Sequence, residues 1–259
     1  MAGARRTERA FHAGAVAGMN SSLGRSQYTP ARVRLESAGL SLATSEILDL
    51  NLSLAEARDA VHAQLSTASL LPQFEALGLH PVLVKSAVND RAEYLRRPHL
   101  GRQLDAASKE LLRCDNAVSN GLVIAVADGL SAIAVERHAA PLLQALDILF
   151  PLRGAPLIIV EQARVAVGDE IGECLRAELL LMLIGERPGL SSPDSLGAYI
   201  TWMPRAGRTD AERNCISNIR PEGLSYRQAA EKIAWYLANA RGRRLTGVGL
   251  KEDSLLLSD

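Results

Sequence analysis

The chain has 259 residues, 29 basic and 29 acidic, for a net charge of zero. That balance removes the electrostatic footprint of a nucleic-acid binder or an anionic-membrane binder. An apolar fraction of 47% fits one large domain or two small ones with a proper core, and no run of 18 apolar residues is available to span a bilayer. Of the 29 basic residues, 25 are Arg and four are Lys; planar anion recognition and genomic composition both account for such a bias. Cys114, Cys174 and Cys215 form no CxxC and are odd in number, so a reducing, cytoplasmic compartment fits better than a disulfide framework.

Residues 1–28 read as a weakly ordered tail without the apolar core of a secretory signal. Residues 29–115 read as a helical N-terminal region. Ile47, Leu48, Leu52, Ala55 and Val61 recur at helical spacing, and Ser53 with Glu56 offers a capping box for a helix restarting there. HPVLVKSAV is a short β-like run, Pro98 breaks any helix, and Leu104, Ala107, Leu111 and Leu112 mark another helix. Residues 116–250 change character. LVIAVA, APLIIVEQ, ELLLMLIG and GAYITWMPR are strands, separated by a helix over SAIAVERHAAPLLQALDILF and a short helix or turn over GDEIGECLRA. SYRQAAEKIAWYLANARGRR is a terminal helix. The alternation predicts an α/β fold, a Rossmann-like, mostly parallel sheet flanked by helices.

In such a sheet the carboxyl ends of the strands share one rim, where ligands bind. The loops are expected to gather Asp128, Glu161, Glu186, Arg187, Arg205, Arg208 and Asp210 there. Asp128-Gly129-Leu130-Ser131 is either a helix N-terminus facing a polar ligand or a turn whose acid is satisfied locally. Glu186, in a Gly-bounded loop after a buried strand, contacts a ligand or pairs internally with an Arg. Cys215 lies in the polar stretch RTDAERNCISNIRPEG, as a thiol in a cationic setting or as a small space-filling group. There is no GxGxxG, no GxxxxGK[ST], no metal-ligand histidine spacing and no Ser-His-Asp arrangement. The residues therefore describe a binding rim without catalytic apparatus, and a free-standing α/β nucleotide-binding module or small transferase is one reading of it.

RTDAERNCISNIRPEG, GERPGL, ADGLSA and RPHLGRQLD, in that family's order, resemble the small (light) subunit of ethanolamine ammonia-lyase. The resemblance runs from about Thr29 to Gly249 and is densest from Tyr94 onward. It implies an adenosylcobalamin-dependent enzyme that converts ethanolamine to acetaldehyde and ammonia by radical chemistry. The large subunit, a TIM barrel, carries the substrate site, and the small subunit is active only with it. Several large–small pairs make a hetero-oligomer, with cobalamin between the two chains and a location in the cytoplasm or a bacterial microcompartment.

By motif, the resemblance assigns cobalamin contacts to Val165 through its backbone amide, to Glu186 in GERPGL and to Cys215 in RNCISNI. It assigns no catalytic residue and no protein ligand to the metal. The DxHxxG motif of other cobalamin proteins is missing, His138 standing in ERHAAP; this implies that the cofactor keeps its own base as lower ligand. His99 departs from the family, which more often has an acid there.

Overall fold

The computed structural model describes residues 37–38, 41–114 and 121–252; the expected tail and the expected boundary at 115/116 lie outside them. The chain divides into two compact units, Met1–Leu48 and Asp49–Asp259. In the first, β1 (Ser37–Ala38) and β2 (Ser41–Leu42) pair antiparallel, and α1 (Thr44–His62) begins. The helix runs without a break through Ser53, so the expected restart is not made.

The second unit contains the rest of α1, then α2 (Thr67–Glu75), β3 (Pro81–Lys85), α3 (Arg91–Arg96) and α4 (Ala106–Cys114). There follow β4 (Leu122–Ala127), α5 (Ala132–Leu149), β5 (Leu157–Glu161), α6 (Val167–Cys174) and β6 (Leu179–Gly185). β7 (Leu196–Trp202), β8 (Arg213–Ile219) and α7 (Tyr226–Arg243) complete it. Asp90 starts α3 by accepting from Glu93 N–H at 2.8 Å, and α3 ends before Pro98, as expected. Ser225 and Gln228 form a reciprocal capping box at the start of α7.

The six strands lie in the order β3-β5-β4-β6-β7-β8. β3, β5, β4 and β6 are parallel, while β7 is antiparallel to both β6 and β8. The fold is thus α/β with a mostly parallel sheet. Every residue of β4 and β6 is buried, because helices cover both faces. Leu122, Ile124 and Val126 face the core shared with α2, α5 and α7, and Val123, Ala125 and Ala127 face the core beneath α4 and α6.

Two elements differ from the sequence expectation. GAYITWMPR is a strand but runs antiparallel, so its carboxyl end opens on the opposite edge of the sheet. RNCISNI is an edge strand, β8, and not a polar loop. Its residues alternate imperfectly, with Ile216 and Ile219 buried and Cys215, Ser217 and Asn218 exposed, and that broken alternation hides its period of two.

The rim is closed by backbone contact. Leu130 N–H donates to Gly185 O at 3.0 Å. A Cβ at Gly185 would stand 2.0 Å from Ser131 O, and one at Gly129, whose φ is +55°, 2.2 Å from Gly185 O. Backbone cannot yield as a flexible side chain can. Gly185→Ala is therefore expected to lower unfolding free energy by about 1–3 kcal/mol. Gly242→Ala, in open space on α7, should be neutral or stabilising by up to ~1 kcal/mol. Chemical denaturation of the two variants checks the contrast, and equal effects would show that the Gly129–Gly185 contact is slack.

Candidate functional site

Parallel strands deliver the turns after β4, β5 and β6 to one edge. Between them lies a groove of about 430 Å3, lined by Tyr94, Gly129, Leu130, Arg164, Val165, Ile184, Gly185, Glu186, Arg187, Tyr199 and Ser217. Behind the lining residues Gly129 and Tyr94 is a buried ion pair. Asp128, wholly buried, accepts from Arg91 Nη1 at 3.1 Å and from the amides of Gln162 and Ala163 at 3.0 Å each. Arg91 also donates to Gly129 O at 2.9 Å and to Val61 O at 2.8 Å. Burial lifts the Asp128 carboxyl to about 6, while Arg91 and the backbone amides pull against that rise.

Asp128 is thus a strut. The Gly129 amide turns to its carboxylate, Leu130 N–H to Gly185 O and Ser131 N–H to Asp128 O. Ser131 Oγ caps α5 by accepting from Ala134 N–H at 3.3 Å. Since the donors of the DGLS turn are all spent inside the fold, the turn offers a nucleotide little, and the reading as a locally satisfied turn holds.

The same strut fixes the turn after β5. Tyr94, buried, donates its hydroxyl to Ala163 O at 2.8 Å, and the guanidiniums of Arg91 and Arg164 both stack on its ring, at 4.8 and 4.5 Å from the centroid. Arg164 N–H donates to Gly101 O at 2.7 Å, which ties down the RPHLG segment; His99 there is exposed. Gly101 allows the approach, since a Cβ would stand 2.9 Å from the Tyr94 ring. Val165 follows at the groove wall. Among the described residues its amide has no acceptor.

Among the described residues no Arg pairs with Glu186. Its carboxylate accepts from the hydroxyls of Ser195 and Ser217 and from Asn218 N–H at 3.1 Å. Three donors leave room for a fourth on a group with about four lone-pair sites. Cys215 sits beside this groove, paired in register with Tyr199 on β7. The two side chains lie on neighbouring strands at the same level of the sheet. Desolvation raises the thiol above its ordinary range, with Glu186 and Asp210 adding to the rise and Tyr199 opposing it. A thiol so biased stays protonated. The residue is nevertheless exposed, so it is not a core filler either.

The fold therefore brings Val165 and Glu186 to one groove, with Cys215 on its border. Arg187 lines it too, and Glu161 lies at the same rim, 4.0 Å from Lys85. Arg205, Arg208 and Asp210 do not belong there. They follow β7, whose reversed direction carries them to the other edge, where Trp202 pairs with Leu179. There Arg208 bonds Glu212 and the Trp202 carbonyl, and Arg213 joins Asp210 to buried Asp169. Arg91, Tyr94, Arg164, Tyr199 and Ser217 had not been singled out as site residues. No local motif marks them; their signal was only proximity to the motifs, as with Arg164 beside Val165.

A comparison with known families gives this geometry its context. The family described as "Ethanolamine ammonia-lyase light chain (EutC)" matches residues 21–251. The chain is 53% identical over 232 residues to a protein of Azotobacter vinelandii named ethanolamine ammonia-lyase small subunit, covering 87% of this chain and 86% of that one. It is 51% identical to proteins of the same name from Xanthomonas campestris pv. campestris and Pseudomonas aeruginosa, with coverage of 87% and 88% of this chain and 85% and 86% of theirs. The chain belongs to this family. It is a small, or light, subunit of a lyase. Among the described residues no helix is long and apolar enough to cross a membrane.

The strut makes a stability prediction. Arg91→Ala leaves the Asp128 charge buried and should cost about 3–5 kcal/mol at neutral pH. The folded-state pKa of Asp128 lies above its unfolded value, so its contribution is fullest below the unfolded pKa and declines as pH rises through about 6. Removing Arg91 lifts that pKa further. The deficit of the variant should therefore shrink between pH 7.5 and pH 5, measured by urea denaturation; a pH-independent deficit would show that Asp128 is not the group left uncompensated.

Proposed function

We propose that this chain holds adenosylcobalamin against the large subunit of an ethanolamine ammonia-lyase, with Val165, Glu186 and Cys215 as its cofactor contacts. The observation that carries the reading is that Val165 and Glu186, from separate loops, line one groove, and Cys215 on an edge strand pairs with Tyr199, which lines it too. The donor set fits. Corrin side chains are amides, which need both donors and acceptors. Val165 supplies an amide N–H without an acceptor among the described residues, and Glu186 a carboxylate with capacity left.

The sheet also leaves a suitable support. On the face where α4 and α6 cover the parallel strands, Cys215 and Ser217 on β8 remain exposed. Tyr199, Cys215 and Ser217 make a shelf continuous with the groove, open to a flat macrocycle on one side and to a second protein on the other. When bound, adenosylcobalamin supplies the radical chemistry that turns ethanolamine into acetaldehyde and ammonia, and the protein supplies position and shielding. Glu186 would accept a hydrogen bond from a corrin amide, Val165 N–H would donate one, and Cys215 with Tyr199 would pack against the ring. No group here titrates in a catalytic role.

The large subunit completes the site, in a hetero-oligomer of several large–small pairs. The region 29–115 is its proposed contact, and the exposed Leu52 and Leu54 of α1 offer apolar surface for it. A bacterial microcompartment is a proposed location of the assembly.

The isolated chain should show no turnover, with activity restored by large subunit and cofactor. In the assembled enzyme, Glu186→Ala should raise the Kd for adenosylcobalamin by about tenfold, as loss of a hydrogen bond to a charged acceptor does. Cys215→Ala should raise it less, and kcat at saturating cofactor should change less than Kd in both. Equilibrium dialysis showing wild-type affinity in both variants would overturn the assignment.

A further inference from the structure

Charge in the groove does not balance. Arg164 and Arg187 both line it, and among the described residues neither has an ion pair or a side-chain hydrogen bond. Glu186, the acid of the lining, spends its oxygens on Ser195, Ser217 and Asn218. Arg91, also stacked on the Tyr94 ring, is neutralised by Asp128. Arg187 is exposed, and solvent explains its lack of a partner. Arg164 is different. It is half-buried, its guanidinium is stacked on Tyr94 at 4.5 Å, and its Nε is buried without an acceptor.

A desolvated guanidinium nitrogen without an acceptor is costly, and here the position is held by construction. The Tyr94 hydroxyl is anchored on Ala163 O, the Arg164 backbone on Gly101 O, and the carbonyl of Arg164 accepts from Val167 N–H at 3.0 Å. The planar cation is thus preorganised against an aromatic face, beside the Val165 N–H that also lacks an acceptor among the described residues. A fixed guanidinium with free donors matches a tetrahedral oxyanion carrying one charge.

We infer that Arg164, with Arg187 as an outer charge, forms a subsite for a singly charged phosphate ester. The inference rests on the cobalamin reading and deepens it: the phosphodiester of the cofactor's nucleotide tail is the occupant, and free phosphate is the other source of the same chemistry. Arg164 is a binding residue and takes no part in bond making or breaking.

The test uses the assembled large–small enzyme and three probes: cyanocobalamin, dicyanocobinamide, which lacks the nucleotide tail, and inorganic phosphate. Arg164→Gln should weaken cyanocobalamin by about tenfold or more, as loss of a charge-assisted contact does, and leave dicyanocobinamide unchanged. Arg164→Lys, which keeps the charge, should fall between. Wild-type affinity for cyanocobalamin, but not for dicyanocobinamide, should drop as sodium chloride is raised, a measurement that needs no variant to fold. Equal weakening of both corrinoids, or of neither, together with salt-independent binding, would overturn the subsite. Phosphate binding that requires Arg164 while cyanocobalamin binding does not would overturn the tail as occupant and assign free phosphate instead. Failure of the cobalamin reading is separate: wild-type enzyme would then bind neither corrinoid.

Discussion

A carboxylate without access to solvent organises the binding edge of this molecule. Asp128 ends the central strand β4 and, through the amides of Gln162 and Ala163, sets the course of the chain leaving β5. Arg91 closes the pair and reaches the carbonyls of Gly129 and Val61. One ion pair thereby joins α1, α3, the β4 turn and the β5 turn. A buried pair of this kind adds little net stability, yet losing one partner costs a large share of the 5–15 kcal/mol that holds a typical domain. Its value is positional: it helps to fix the turn that carries Arg164 and Val165.

The topology then decides which loops share that edge. Parallel strands put the ends of β4, β5 and β6 side by side, while the reversal at β7 sends residues 203–212 to the far edge. The same reversal brings β8 back in the direction of β6, so that Ser217 and Asn218 meet Glu186. Helices cover the parallel part of the sheet and leave part of β8 bare. A groove bounded by fixed backbone, continuing onto an uncovered strand, is a surface suited to being shared between two chains. Under the proposed reading, that is where the cofactor lies.

Much of the fold was legible because its signals are local. Buried runs such as LVIAVA and LLLMLIG announce strands covered on both faces, and Ser131 and Ser225 announce helix starts. Strand direction was not legible. Nothing in GAYITWMPR says that it runs against its neighbours, so Arg205, Arg208 and Asp210 were expected on an edge they do not reach. β8 was read as a loop because its polar residues Asn214, Ser217 and Asn218 are explained by partners far along the chain, as Asn214 bonded to Gly247 and Leu250 shows. Asp128 was visible as a candidate, but the choice between strut and ligand depended on Arg91, 37 residues earlier. Val165, Glu186 and Cys215 came from resemblance, and their meeting at one groove is a long-range property that spacing alone does not encode.

The decisive measurement is the position of cobalt in crystals of the assembled large–small enzyme grown with cyanocobalamin, located by anomalous scattering. The account predicts cobalt above the uncovered part of the sheet, with the corrin edge touching the Val165 amide, the Glu186 carboxylate and Cys215. Cobalt enclosed by the partner alone, or seated at the far edge beside Arg205 and Asp210, would contradict it.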